Sequence, residues 1–215
     1  METPSTVWAL VPGEPGVAGA RVGGSPEPVG PLTWPACATC GAPMRFLFQL
    51  PHVPGRLDLA PYAALAVFQC ENPETVCFRW DAHAGANAVV ALRAGTPSVT
   101  GAPAAGAPAT GLGVDFAPAE EDGEALSVDV NTASDEQLAA LDRAQERAPG
   151  SKAGGVPGWV NGDARPTCCG EPMRFVAQLA AVPWGLNLGD DGRGYVFRCH
   201  DAACATPFRF LWQGA

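Results

Sequence analysis

The strongest constraint on this chain is that part of it is written twice. Residues Cys40 to Cys70 read CGAPMRFLFQLPHVPGRLDLAPYAALAVFQC, and Cys169 to Cys199 read CGEPMRFVAQLAAVPWGLNLGDDGRGYVFRC. The two spans align without a gap, Cys40 on Cys169 and Cys70 on Cys199. The matched residues are chemically diverse: Gly41 with Gly170, Met44 with Met173, Arg45 with Arg174, Gln49 with Gln178, Pro54 with Pro183, Phe68 with Phe197. Compositional bias does not produce such a set. Upstream, Gly23-Gly24-Ser25-Pro26 answers Gly154-Gly155-Val156-Pro157 after one short indel. Two copies are too few for a solenoid. They predict two similar lobes related by approximate twofold symmetry.

Local patterns place the repeats on strands. Met44, Phe46, Phe48 and Leu50 alternate with Arg45 and Gln49, the period of a half-buried strand. Met173 to Leu179 repeats the pattern, and Leu65 to Cys70 and Tyr195 to Cys199 read as return strands. Asn87 to Leu92 and Pro207 to Gln213 read as closing strands, the latter with Phe208, Phe210 and Trp212 on one face. Arg45, Gln49, Arg174 and Gln178 are either recognition residues or simply the solvent or interlobe face of their strands. The 26 glycines and 22 prolines favour turns over long helices. One short helix is predicted over Ser134 to Arg147, opened by a Ser134/Gln137 capping box. Ala94 to Gly113 reads as a Gly/Ala/Pro-rich linker, and Glu120-Glu121-Asp122 as an acidic patch. The fold class is therefore mostly β with a minor α part. Its organisation is a repeat lobe over 1–93, a linker, acidic segment and helix over 94–150, and a second lobe over 151–215.

Eight cysteines fall in two clusters. Cys37-Ala38-Thr39-Cys40-Gly41 spaces two thiolates three apart, with glycine to permit the turn, and Cys70 and Cys77 form a second pair. Four thiolates saturate tetrahedral Zn²⁺ and leave no position open for substrate, so this site reads as structural. The alternative is four small buried hydrophobes. In the second copy Pro166 stands where Cys37 would be, and the cluster is Cys168, Cys169, Cys199 and Cys204. It reads as a second zinc site with His200 able to replace one ligand, as a metal-free copy, or as a reactive vicinal thiol pair. His52 and His83 have no clustered partners. Asp190 and Asp191 lie in a glycine-rich turn that they serve.

A formal charge of −9 disfavours phosphate backbones, so no nucleic-acid partner is expected, and favours a basic protein partner. Met1 to Gly30 lacks a basic start followed by an apolar run, and no segment reaches the ~20 apolar residues that span a bilayer. The expected location is cytoplasmic, with no membrane partner, where clustered cysteines point to metal before disulfides. No nucleophile elbow, phosphate loop or H-E-x-x-H helix is present.

These elements in this order resemble the TYPP group, which comprises the bacterial YwqG-like proteins and the eukaryotic programmed-cell-death-protein-2 family. The residues that carry the resemblance are the Gly-Gly-x-Pro elements with Trp159 after the second, and Trp34-Pro35 before the first knuckle. The Pro-Met-Arg-Phe-x-x-Gln-Leu and Val-Phe-x-Cys strands, the Gly189 to Gly192 turn and terminal Phe210 to Gln213 complete it. The resemblance implies a duplicated β-rich fold and, from the eukaryotic members, a dedicated chaperone holding a basic ribosomal client. The finger inserted in some of those members is missing here, so no client identity carries over. The expected function is a zinc-braced module that binds a protein or peptide without turnover. The competing expectation is a thiol- or zinc-dependent enzyme centred on the second cluster.

Overall fold

The computed structural model describes residues 5–13, 17–101, 103 and 111–214. In chain order its strands are β1 (Ser5–Gly13), β2 (Arg21–Gly23), β3 (Pro31–Thr33), β4 (Arg45–Pro51), β5 (Ala64–Gln69), β6 (Asn87–Leu92), β7 (Ser98–Thr100) and β8 (Gly111–Glu121). Two helices follow, α1 (Gly123–Leu126) and α2 (Asp135–Arg147). The remaining strands are β9 (Lys152–Ala153), β10 (Thr167–Cys168), β11 (Glu171–Pro172), β12 (Arg174–Ala180), β13 (Arg193–Arg198) and β14 (Phe208–Gln213). The chain is mostly β, as expected. No described helix is long and apolar enough to cross a membrane.

Ten strands form one antiparallel sheet in the order β14-β13-β12-β9-β1-β8-β2-β4-β5-β6. The sheet curls until its two edge strands, β6 and β14, lie against each other, which makes it a nearly closed barrel. The order runs symmetrically outward from the central β1/β8 pair, and the registers match. Arg45 pairs Gln69 as Arg174 pairs Arg198, and Phe46 pairs Phe68 as Phe175 pairs Phe197. Each ladder then carries a bulge, between Phe46 and Phe48 in one and between Phe175 and Ala177 in the other. Arg21 and Val22 of β2 pair Gln49 and Phe48, as Lys152 and Ala153 of β9 pair Gln178 and Ala177.

The bulges correct the predicted alternation. An extra residue in one strand reverses which face the following side chains take. Met44 and Phe46 therefore face a core outside the barrel with Ala64, Ala66 and Phe68, while Phe48 and Leu50 point inward with Leu65 and Val67. The strands are buried on both faces rather than half-buried. The inner core unites both halves, and Phe48 meets Phe210 edge-on at 6.0 Å between ring centroids. A separate outer core in the second half gathers Met173, Tyr195, Phe197 and Leu211, with Trp159 stacked on Phe197.

The Gly-Gly-x-Pro elements have a backbone reason. Both glycines of each pair, Gly23 and Gly24, and Gly154 and Gly155, sit at φ between 70° and 79°, where a Cβ is strained. This double left-handed turn folds the chain back over the sheet, where a buried glutamine secures it. Gln49 Oε1 accepts the Glu27 N–H at 3.1 Å, and Gln178 Oε1 accepts the Gly158 N–H at 2.8 Å. Gln49 and Gln178 are 0% and 1% exposed. They are structural clamps, neither recognition residues nor an outer face.

The middle segment does more than link. Ser98–Thr100 pairs with β3, and Gly111–Glu121 forms the long central strand β8 against β1; residues 102 and 104–110 of the predicted linker lie outside the described residues. α2 carries the predicted capping box and buries only Leu141 and Ala144. The acidic patch also reads differently in three dimensions. Glu121 is fully buried in an ion pair with Lys152, and its other oxygen accepts the Val156 N–H. Asp122 caps α1 through the Ala125 N–H, which leaves Glu120 alone exposed to solvent without such a role. Of the three acids, Glu120 and Asp122 are exposed and Glu121 is withdrawn from the surface.

Candidate metal centres

Each half brings four cysteines to one point. Cys37, Cys40, Cys70 and Cys77 converge in one group and Cys168, Cys169, Cys199 and Cys204 in the other, with the sulfurs of each within 4.8 Å of one another. All eight are free thiols. Four sulfurs about 2.3 Å from a shared ion in a tetrahedron stand about 3.8 Å apart. Cys40 and Cys70 are separated by 3.6 Å, Cys168 and Cys204 by 3.5 Å, and Cys168 and Cys169 by 3.9 Å. Both groups could hold a metal ion.

The first site is assembled by a knuckle and a strand end. The Gly41 N–H donates to Cys37 O at 2.8 Å, closing the turn that brings Cys40 over Cys37, and Gly41 supplies the left-handed conformation at φ 71°. Cys70 follows directly on β5, and its N–H donates to Ala86 O, tying in the loop that carries Cys77. Cys37, Cys70 and Cys77 are buried against Met44, Phe46 and Phe68. The site thus fastens two loops over the outer core.

Its electrostatics favour anionic sulfur at Cys40 and oppose it at Cys70 and Cys77. The Cys40 thiol is lowered to about 6, first by the backbone N–H of Ala42 and then by the Asn72 side chain. The remaining thiols cannot all follow, because each new thiolate meets the first at close range. Burial and hydrogen bonding to its neighbours push Cys77 up to about 12. A bound dication removes that conflict by neutralising four adjacent thiolates.

The second site reaches the same count by a different local solution. Adjacent cysteines in an extended strand point to opposite faces, so Cys168 and Cys169 need a bend to share a site. Cys169 supplies it by adopting φ 53°, a left-handed conformation uncommon outside glycine, and Gly170 continues the turn at φ 85°. Cys204 is lowered by the Thr206 backbone N–H, while hydrogen bonding to Cys199 pushes Cys169 up to about 12. Cys169 is exposed, unlike any cysteine of the first group. His200 is exposed and stands outside the sulfur group. His200→Ala should therefore leave the metal content of the protein unchanged, whereas Cys204→Ser should remove one equivalent; elemental analysis of the two variants checks both.

The other candidates fall as follows. Arg45 is paired with Glu71 at 2.5 Å, and Arg174 is exposed. His52 Nδ1 accepts the Leu59 N–H at 3.0 Å, a packing role, and His83 is exposed on a loop. Asp191 takes φ 45° in the turn it was expected to serve. Sequence reasoning missed the Glu121–Lys152 pair. It also missed the N–H donors of Ala42 and Thr206, which no side-chain motif announces. Compared with protein-family models the chain matches none, and no curated protein matches it either.

Proposed function

We propose that the protein is a zinc-braced scaffold that binds an extended, basic polypeptide segment without turnover. The observation that carries this reading is the loop between β5 and β6. It exposes Val76, Phe78 and Trp80 at 77%, 54% and 44%. Of these, Phe78 and Trp80 are contiguous, and exposed apolar side chains of this size mark interaction surfaces. The loop is held in place: Cys77 ties it to the first sulfur group, and the Asn87 side chain donates to the carbonyls of Arg79 and Asp81 at 2.9 Å each. Phe78, Trp80 and Trp212 stand edge to face in series, so the aromatics are ordered before any partner arrives. With Glu71 already paired to Arg45, the loop still carries Glu74 and Asp81 against Arg79, a small acidic excess that favours a basic segment. It lies beside the meeting of β6 and β14, where the Trp212 N–H donates to the Trp80 carbonyl and holds the loop against β14. Tetrahedral sulfur of this spacing selects zinc over harder divalent ions. The reading agrees with the resemblance to the YwqG-like and programmed-cell-death-protein-2 proteins.

Calorimetric titration of the metal-loaded protein with short Lys/Arg-rich peptides bearing aromatic residues should show saturable binding. It should weaken as salt approaches physiological strength, where the screening length is about 8 Å. Exchanging Phe78 and Trp80 together for serine should reduce affinity at least about tenfold. An unchanged affinity in that variant removes the loop from the reading.

A second reading, a thiol- or zinc-dependent enzyme, draws on the exposed Cys169 in the second group. It requires turnover of a small molecule that Cys169→Ser abolishes while the fold and the first metal equivalent survive.

A further inference from the structure

From a cleft between the two halves we infer a second binding site, for a phosphate or diphosphate group. The cleft has a volume of about 250 Å³ and brings together Arg56 and Asp58 from the first half with Gly154, Arg174, Phe175 and Arg198 from the second. None of the three guanidiniums is in an ion pair among the described residues, although the chain has more carboxylates than basic groups.

Two of the three are held in place by contacts that leave their charge uncompensated. The Arg56 guanidinium lies 4.8 Å above the Trp8 ring. Arg198 lies over Phe208 and donates to the backbone carbonyls of Asp58 and Ala60. Arg174 is exposed at the start of β12 and completes the group. The floor is open at Gly154, where an added Cβ would meet no atom within 4 Å. One carboxylate borders the cleft: Asp58 accepts the Ala60 N–H and stands 3.6 Å from His52 Nδ1.

The matching place in the first half is neutral by comparison. There Arg45, the counterpart of Arg174, is paired with Glu71, and Gln69 stands in register where Arg198 stands. The residue that aligns with Glu71 is His200. The second half has therefore lost the acid that would quench its arginine and gained a further guanidinium. Planar guanidinium forks match the oxygen geometry of phosphate, and several converging on one cleft favour a multiply charged oxyanion over a single carboxylate.

The test is calorimetry of the metal-loaded protein with pyrophosphate and, separately, with a nucleoside diphosphate, at matched ionic strength and with metal content measured before and after. Saturable binding of either at one site, with metal content unchanged, is expected; tighter binding of the nucleotide identifies an organic phosphate as the source. Arg174→Gln and Arg56→Gln should each weaken binding about tenfold or more. Arg45→Gln should leave it unchanged, and Asp58→Asn should tighten it. Arg56 and Arg174 are exposed and Arg45 is half-buried, and an unchanged near-ultraviolet circular dichroism spectrum verifies that each variant is folded. No saturable binding by the unmodified protein, or wild-type affinity in both Arg174→Gln and Arg56→Gln, overturns the inference.

Discussion

Exchanging Cys70 for serine should lower the free energy of unfolding by several kcal/mol and release one metal equivalent per chain. Cys70 is buried at the end of β5 and shares its sulfur group with the knuckle at Cys37 and Cys40 and with the loop at Cys77. Metal held by four thiolates contributes its binding energy directly to folding, because the unfolded chain has no preformed site. The loss stops short of unfolding the protein, since the inner core of the barrel does not contain these cysteines. Urea denaturation with and without a strong chelator should show this decrement plus the second site's share in the unsubstituted protein, and the second site's share alone in Cys70→Ser. Pure protein never exposed to chelator that contains no metal, with all eight thiols freely titratable, would contradict both the zinc reading and the predicted loss.

Lys152→Met should cost about 3–5 kcal/mol, because it strands the Glu121 carboxylate inside the protein. Both side chains are fully buried, and burial pushes the Lys152 ammonium down from its usual range while Glu121 pushes it back. The pair is thus worth little against an apolar replacement but is expensive to break from one side. Glu121→Leu combined with Lys152→Met should recover part of the loss. It should not recover all of it, because the Val156 N–H would lose its acceptor, at about 1–3 kcal/mol. Chemical denaturation of the single and double variants gives the two numbers. A double variant less stable than Lys152→Met alone would mean that the pair contributes more than the relief of a stranded charge.

The repeat made the outer strands and both sulfur groups legible, since matched positions such as Gln49 and Gln178 or Phe68 and Phe197 announce a common local structure. β6 was read with its observed limits, from the apolar run Asn87–Leu92. The central strands were not seen. β1 and β8 contain Pro12 and Pro118, which interrupt a strand pattern, although Leu112, Val114 and Phe116 alternate as a strand should. The bulges after Phe46 and Phe175 were invisible for a different reason: a bulge is a property of a strand pair, and one strand read alone shows only its own period. The burial of Gln49, Gln178 and Glu121 was not legible, because a polar residue's burial depends on a partner far away in the chain, as Lys152 is for Glu121.

The exchange of strands at the centre of the sheet bears on how the polypeptide reaches its final state. β1, the first strand of the chain, pairs with β9 of the distal half, while β8, which immediately precedes that half, pairs with β2 of the proximal one. Neither segment 1–101 nor segment 111–215 carries all the partners of its own leading strand. A ribosome releasing the first half therefore releases an arm that must wait for residues at least 100 positions later before its backbone is satisfied. Non-local pairing of this kind slows folding and makes it cooperative across the whole chain. Two separate chains, each holding one half, would complete the same sheet only by trading arms, as in a domain-swapped dimer.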